Sequence, residues 1–182
     1  MHPYFIKKFE EALILLGQNI QINNPYLLKT KGEMLVENRN TDLISRLATK
    51  TLSCSHGGGH TVNWYNRNSL NCGYCIPCTI RRASIHKFNN SLDRCTDYGH
   101  RLMSQDINIY SHEKRLDLLA LAYFLNKNLT RAEIKREIKL MAKIDDIEEV
   151  TDMLLRGYAE IKQYINDKAD DEIKGLFSCQ LV

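Results

Sequence analysis

Three cysteines at a fixed interval, Cys72-x-x-Cys75-x-x-Cys78, with Cys54 upstream, constrain this chain more than any other feature. A Cys-x-x-Cys turn brings two sulfurs to one ion, and a third cysteine three residues on extends the same knuckle. Four soft ligands about 2.3 Å from one centre complete a tetrahedral zinc site. Gly73 lets the chain turn tightly after Cys72, so that amide N–H groups can face the sulfurs. Cys78 is expected at the start of a helix over 79–88, whose positive end favours a thiolate. Clustered thiols of this kind suit a metal better than a disulfide framework in a reducing compartment. With all four positions filled by thiolate, the zinc is structural, because no position is left for a catalytic water. Three rivals stand beside this reading. One is an iron–sulfur cluster, which also takes four cysteines but at other spacings. Another is a set of metal-free thiols. In the third, His56 or His60 replaces Cys54. Cys95 and Cys179 read as ordinary thiols.

Composition narrows the setting. Of 182 residues, 43% are hydrophobic and 26% charged, which argues against wholesale disorder and leaves room for one domain or a small domain with an appendage. The longest apolar runs, Leu13 to Leu16 and Leu118 to Phe124, are too short to cross a bilayer. The start of the chain is amphipathic and charged rather than leader-like, so the cytoplasm is the expected compartment. The formal charge of +3 permits an acidic partner without requiring one.

Hydrophobic period supplies the elements. Phe5, Ile6, Phe9, Ala12, Leu13 and Leu16 predict a helix over 3–16 that ends at Gly17. Ile20-Gln21-Ile22 alternates like a short strand, stopped by Asn23-Asn24-Pro25. Two short helices are expected over 31–38 and 41–49, the second capped by Thr41. From 50 to 78 no apolar period survives, and so long an irregular stretch needs a clamp. Beyond it, Ser111 can cap a helix to about Asn126. Thr130-x-x-Glu133 is a capping-box pattern opening a helix to about Lys143. A third helix over Asp146 to Ile165 carries Ile147, Val150, Leu154, Tyr158 and Ile161 on one face. The reading is a mostly α chain with minor β, in three parts: a core segment over 1–49, a zinc subdomain over 50–110 and a helical tail over 111–182.

Other motifs have plainer explanations. His56-Gly57-Gly58-Gly59-His60 resembles an oxyanion or phosphate loop, but no nucleophile elbow accompanies it and no Lys-Ser/Thr follows it. It reads as a span between zinc ligands. Arg81 and Arg82 follow the knuckle on a helix; either can hold a phosphate or carboxylate, or pair with Asp93. Trp64 and Tyr65 could stack on a base, though packing is the simpler role. Nucleic acid is the weakest of the candidate partners.

Thr30-Lys31-x-Glu33, then Ser53-Cys54, then Cys72-Gly-x-Cys75-x-Pro-Cys78-x-x-Arg81 resemble the 7-cyano-7-deazaguanine synthases, the QueC family. The order of the pieces agrees as well as the pieces themselves. His2-Pro3 with its Phe-rich helix, Ile20-x-Ile22 and Asn24-Pro25-Tyr26 are similar to the last helix and strand of that family's adenine-nucleotide α-hydrolase core. The resemblance covers residues 1 to about 90. It implies an ATP-dependent ligase that adenylates 7-carboxy-7-deazaguanine and, with ammonia, carries it through the amide to the nitrile.

On this resemblance the chain is expected to hold the C-terminal remnant of an adenine-nucleotide α-hydrolase-like α/β domain, a zinc knuckle of four cysteines and a helical bundle. Lys31, Glu33 and Arg81 are its candidate contacts to substrate or nucleotide. The family's Ser-Gly-Gly-x-Asp-Ser loop is not in this sequence, so ATP is expected to act only with the missing N-terminal half. The long helical tail resembles the QueC-like proteins of antiphage defence systems of the Qat type. That makes the missing half, a protein of a defence complex or a second copy of the chain the candidate partners. The alternative function is a zinc-stapled interaction module of such a complex.

Overall fold

Helix dominates because apolar residues recur at three and four positions through most of the chain. The computed structural model describes residues 3–56, 69–94, 97–99, 112–141 and 146–178. The motif residues Gly57, Gly58, Gly59, His60, Trp64, Tyr65, Cys95 and Cys179, and the expected cap Ser111, lie outside them. The chain divides into two units, Met1–Lys29 with Leu129–Leu155, and Thr30–Asn128 with Arg156–Val182. Among the described residues no helix is long and apolar enough to cross a membrane.

In the first unit, α1 spans Pro3–Leu15. It closes on Gly17, whose φ of 76° is costly for a residue with a Cβ. The Gly17 N–H donates to the Ile14 carbonyl and the Gln18 N–H to that of Leu13, both at 2.9 Å, the double bond of a Schellman end. The expected strand at Ile20–Ile22 is absent, and the described residues contain no strand at all. The reason is local: the Ile22 N–H donates to Glu10 Oε1 at 2.6 Å, so the group a ladder would use is taken by a helix side chain. The minor-β part of the expectation is therefore corrected.

The same unit holds α6, Arg131–Met141, and the start of α7, Ile147–Lys168. Thr130 and Glu133 form the expected reciprocal cap, with Glu133 Oε2 accepting from the Thr130 N–H at 2.8 Å and the Glu133 N–H donating to Thr130 Oγ1 at 3.3 Å. Ile134, Ile138, Val150 and Thr151 are buried, while Arg131 pairs with Glu148 and Asp152 on the surface.

The second unit contains α2 (Lys31–Val36), α3 (Thr41–Leu47), a 3₁₀ turn (Ala48–Lys50), α4 (Ile76–Phe88), α5 (His112–Asn126), the remainder of α7 and α8 (Asp171–Ser178). Asn40, not Thr41, caps α3, its Oδ1 accepting the Leu43 N–H at 3.0 Å. Gly32 is buried on α2 because a Cβ there would lie 2.6 Å from Glu160 Oε2 and 2.8 Å from Lys87 Cδ. Its absence lets α2 sit close to α4 and α7.

Leu118, Leu121 and Leu125 of α5, Ile161, Tyr164 and Ile165 of α7, and Ile173 of α8 form one core with Cys72, Tyr74, Cys75, Cys78 and Ala83. Helices α5 and α8 and the second half of α7 thus pack around the cysteine knuckle.

Candidate metal centre

Asn71 sets the frame of the site. Its Oδ1 accepts from the Ser53 N–H at 3.1 Å and its Nδ2 donates to the Thr51 carbonyl at 3.0 Å. Those two bonds hold residues 51–53 alongside residue 71, which carries Cys54 across to Cys72. Asn71 is itself buried and held: its carbonyl accepts from Ser69 Oγ at 2.9 Å and from the Gly99 N–H at 2.7 Å. Sequence reasoning missed this residue, since an asparagine in a Ser/Gly/Asn-rich stretch carries no distinguishing signal.

Gly73 makes the turn after Cys72 with φ 92°. The N–H groups of Tyr74 and Cys75 then face Cys72 Sγ at 3.5 and 3.4 Å, and those of Cys72 and His56 face Cys54 Sγ at 3.2 and 3.3 Å. Helix α4 begins earlier than expected. Cys75 is its N-cap, with φ −68° and ψ 161°, and Pro77 lies in the first turn, where its missing N–H is no loss. Cys78 therefore sits within that turn rather than just ahead of the helix, still at the positive end.

The four sulfurs of Cys54, Cys72, Cys75 and Cys78 all lie within 4.8 Å of one another and could hold a metal ion. Cys72 and Cys78 are 3.8 Å apart, and Cys75 and Cys54 4.0 Å. A tetrahedron of sulfurs about 2.3 Å from zinc has edges of about 3.8 Å, so the donor set fits. None of the four is in a disulfide.

As bare thiols they cannot all ionise. Hydrogen bonding to Cys75 and Cys78, with burial, holds Cys72 far above the ordinary cysteine range. Cys75, hydrogen-bonded by Cys72 and Cys78, is held far below it. A divalent cation would let the four thiolates, three of them buried, coexist.

His56 stands outside the set. Its Nδ1 is 3.9 Å from Cys72 Sγ, its ring lies 5.4 Å from that of Tyr74, and its Nε2 is 3.7 Å from Asp117. Cys54 rather than His56 completes the four.

The other candidates separate. Lys31 and Arg81 line one cavity, together with Ser53. Glu33 does not line it. Its carboxylate accepts from the Thr30 N–H at 2.8 Å, closing a capping box on α2, and from Arg156 Nε at 2.6 Å. Hydrogen bonding from Arg156 holds Glu33 below the usual carboxylate range. Arg82 is fully buried and grips Asp93, with Nε and Nη2 donating at 3.0 and 2.9 Å to Asp93 Oδ2.

Over residues 1–89 the sequence matches the family model described as Queuosine biosynthesis protein QueC. No curated protein and no solved structure matches the chain. The matched stretch runs from α1 through α4 and contains all four cysteines, so this part of the chain is QueC-like.

Proposed function

We propose that this chain is the zinc-bearing part of a QueC-like, ATP-dependent ligase acting on a 7-deazaguanine-type substrate. The observation that carries the reading is a set of four cysteines with tetrahedral spacing inside the stretch that matches the family. Zinc held by Cys54, Cys72, Cys75 and Cys78 is structural, because four thiolates leave it no open position. What it supplies is a fixed link between residues 51–54 and the first turn of α4. The part over 1–49 is the remnant of the adenine-nucleotide α-hydrolase core. The Ser-Gly-Gly-x-Asp-Ser loop is not among these residues, so turnover requires a partner segment that carries it.

Two measurements test this. Metal analysis should return about one zinc per chain and no visible absorption, whereas a brown protein absorbing near 400 nm would replace zinc with an iron–sulfur cluster. The chain mixed with ATP, ammonia and 7-carboxy-7-deazaguanine should form nitrile only when a polypeptide bearing the missing loop is added. Turnover by this chain alone would overturn the division of labour.

A second reading, a zinc-stapled interaction module of an antiphage defence complex, draws on α1, where Tyr4, Phe5, Phe9, Ile14 and Leu15 are exposed. Tight, saturable binding of the chain to a co-encoded protein, lost on replacing Phe5 and Phe9, supports it. The packing of α5, α7 and α8 around the cysteines weighs against a tail whose own role is docking.

A further inference from the structure

Four thiolates bring −4 and a divalent ion +2, so a filled centre at Cys54, Cys72, Cys75 and Cys78 carries −2. Negative charge at a largely buried site calls for hydrogen-bond donors. Backbone N–H groups meet Cys54 and Cys72, and the Ser55 hydroxyl donates to Cys75. The imidazole of His56 stands against the sulfurs as well.

His56 Nδ1 is 3.9 Å from Cys72 Sγ and 3.4 Å from Ser55 Oγ. With the ion in place Cys72 is a thiolate and holds no proton, so the nitrogen facing it is the partner that carries hydrogen. On the other side of the ring, Nε2 lies 3.7 Å from Asp117 Oδ2. Both ring nitrogens therefore face acceptors. The Tyr74 ring, 5.4 Å away between centroids and inclined at 33°, limits how far the imidazole can tilt. The two side chains, His56 and Asp117, are 31% and 28% exposed, so water reaches this line of groups only in part.

Asp117 lies on α5, beyond the QueC-like residues 1–89. A carboxylate turned toward thiolates is unfavourable by itself. Burial pushes the Asp117 carboxyl above its ordinary range and the nearby Cys75 adds to that, whereas His56 acts the other way. The imidazole separates the two anions and faces each with a donor. We infer that His56 and Asp117 hold the metal centre from outside it: His56 Nδ1–H hydrogen-bonds the Cys72 sulfur, and Asp117 orients the ring from the Nε2 side. Asp117 is a positioning residue, and α5 takes part in retaining the metal as well as in the core. This rests on the metal reading of the four cysteines and not on any ligase activity.

The test is the zinc affinity of the full chain, measured by competition with a chromophoric chelator, alongside the Co²⁺ absorption spectrum. Groups that hold a ligand from outside are worth about 10–100-fold in metal affinity. H56Q, whose amide nitrogen takes the place of Nε2, leaves Cys72 without its donor and should bind zinc about tenfold or more weaker. H56N, whose amide nitrogen takes the place of Nδ1, should stay within about threefold of the parent. D117N should lose about threefold to tenfold, and H56Q/D117N should lose no more than H56Q, because Asp117 acts through the ring. The Co²⁺ bands should keep a four-sulfur pattern throughout. An affinity of H56Q within about twofold of the parent, H56N as weak as H56Q, losses at the two positions that add, or a ligand set that changes in H56Q would each overturn the proposal. A parent chain that binds no metal would overturn the metal reading itself. Should the variants fail to fold by circular dichroism, the nitrogen NMR shift of His56 Nδ1 in the zinc-loaded parent decides: a protonated, pyrrole-type shift is expected, and a pyridine-type shift overturns the proposal.

Discussion

Replacing Asp93 by asparagine should cost this protein a large share of its stability. Arg82 and Asp93 have side chains 1% and 0% exposed, so water screens neither. Asp93 Oδ1 accepts from Arg82 Nε at 3.1 Å and from the Tyr98 hydroxyl at 3.0 Å, while Oδ2 accepts from Nε, Nη2 and, at 3.3 Å, the Tyr164 hydroxyl. The guanidinium also lies 4.3 Å from the Tyr98 ring centroid and 5.5 Å from that of Tyr164. Asparagine keeps the shape but removes the charge, and it turns one acceptor into a donor facing other donors. Breaking one side of a buried pair costs about 3–5 kcal/mol, against a typical domain stability of about 5–15 kcal/mol.

Urea unfolding followed by far-UV ellipticity, with zinc present throughout, measures the loss. R82M should also destabilise, but the double variant R82M/D93L should recover at least about 2 kcal/mol relative to the sum of the single changes at the two positions, R82M and D93L, because it leaves no orphaned charge. A D93N cost below about 1 kcal/mol, or a double variant that simply adds, would refute the claim that the pair organises this core.

Two further outcomes follow from the geometry. C75S should bind metal poorly and, like chelation of the parent chain, lower the helical ellipticity, since structural zinc contributes about 10–16 kcal/mol in small zinc domains; metal content and circular dichroism measured together check this. Glu33, held below its ordinary value of 4.5 by Arg156, contributes stability that is present above that value and lost as pH falls through the lower folded one. E33Q, which keeps the capping pattern, should flatten the acid side of a melting-temperature profile by about 1 kcal/mol or less, because Arg156 is 46% exposed.

The cysteine cluster was legible because its information is local. Cysteines three apart on a turn with Gly73 converge whatever surrounds them, and Cys54, upstream on the far side of the loop, supplies the fourth sulfur. The C-terminal end of α1 and the start of α6 were legible for the same reason, each signalled within four residues. Thr30-x-x-Glu33 and Thr130-x-x-Glu133 carry the same pattern, yet only the second reads as a cap from the bare sequence. The first drew attention through family likeness, and the structure shows its glutamate closing a cap as well.

Helix α8 could have been found: Asp170 Oδ1 accepts the Ile173 N–H at 2.9 Å as an N-cap, and Ile173, Leu176 and Phe177 follow at helical spacing. The expected strand failed because alternation over three residues fixes no partner, and Glu10 reached Ile22 first. What no local pattern could supply is the division between Arg81 and Arg82. Adjacent positions on a helix point about 100° apart, so one guanidinium enters the core toward Asp93, Tyr98 and Tyr164 while the other faces a cavity with no acid among its described lining residues. That difference depends on where α5, α7 and residues 51–53 arrive around α4. It is also the difference between an arginine whose charge Asp93 neutralises and one that no acid among the described residues pairs.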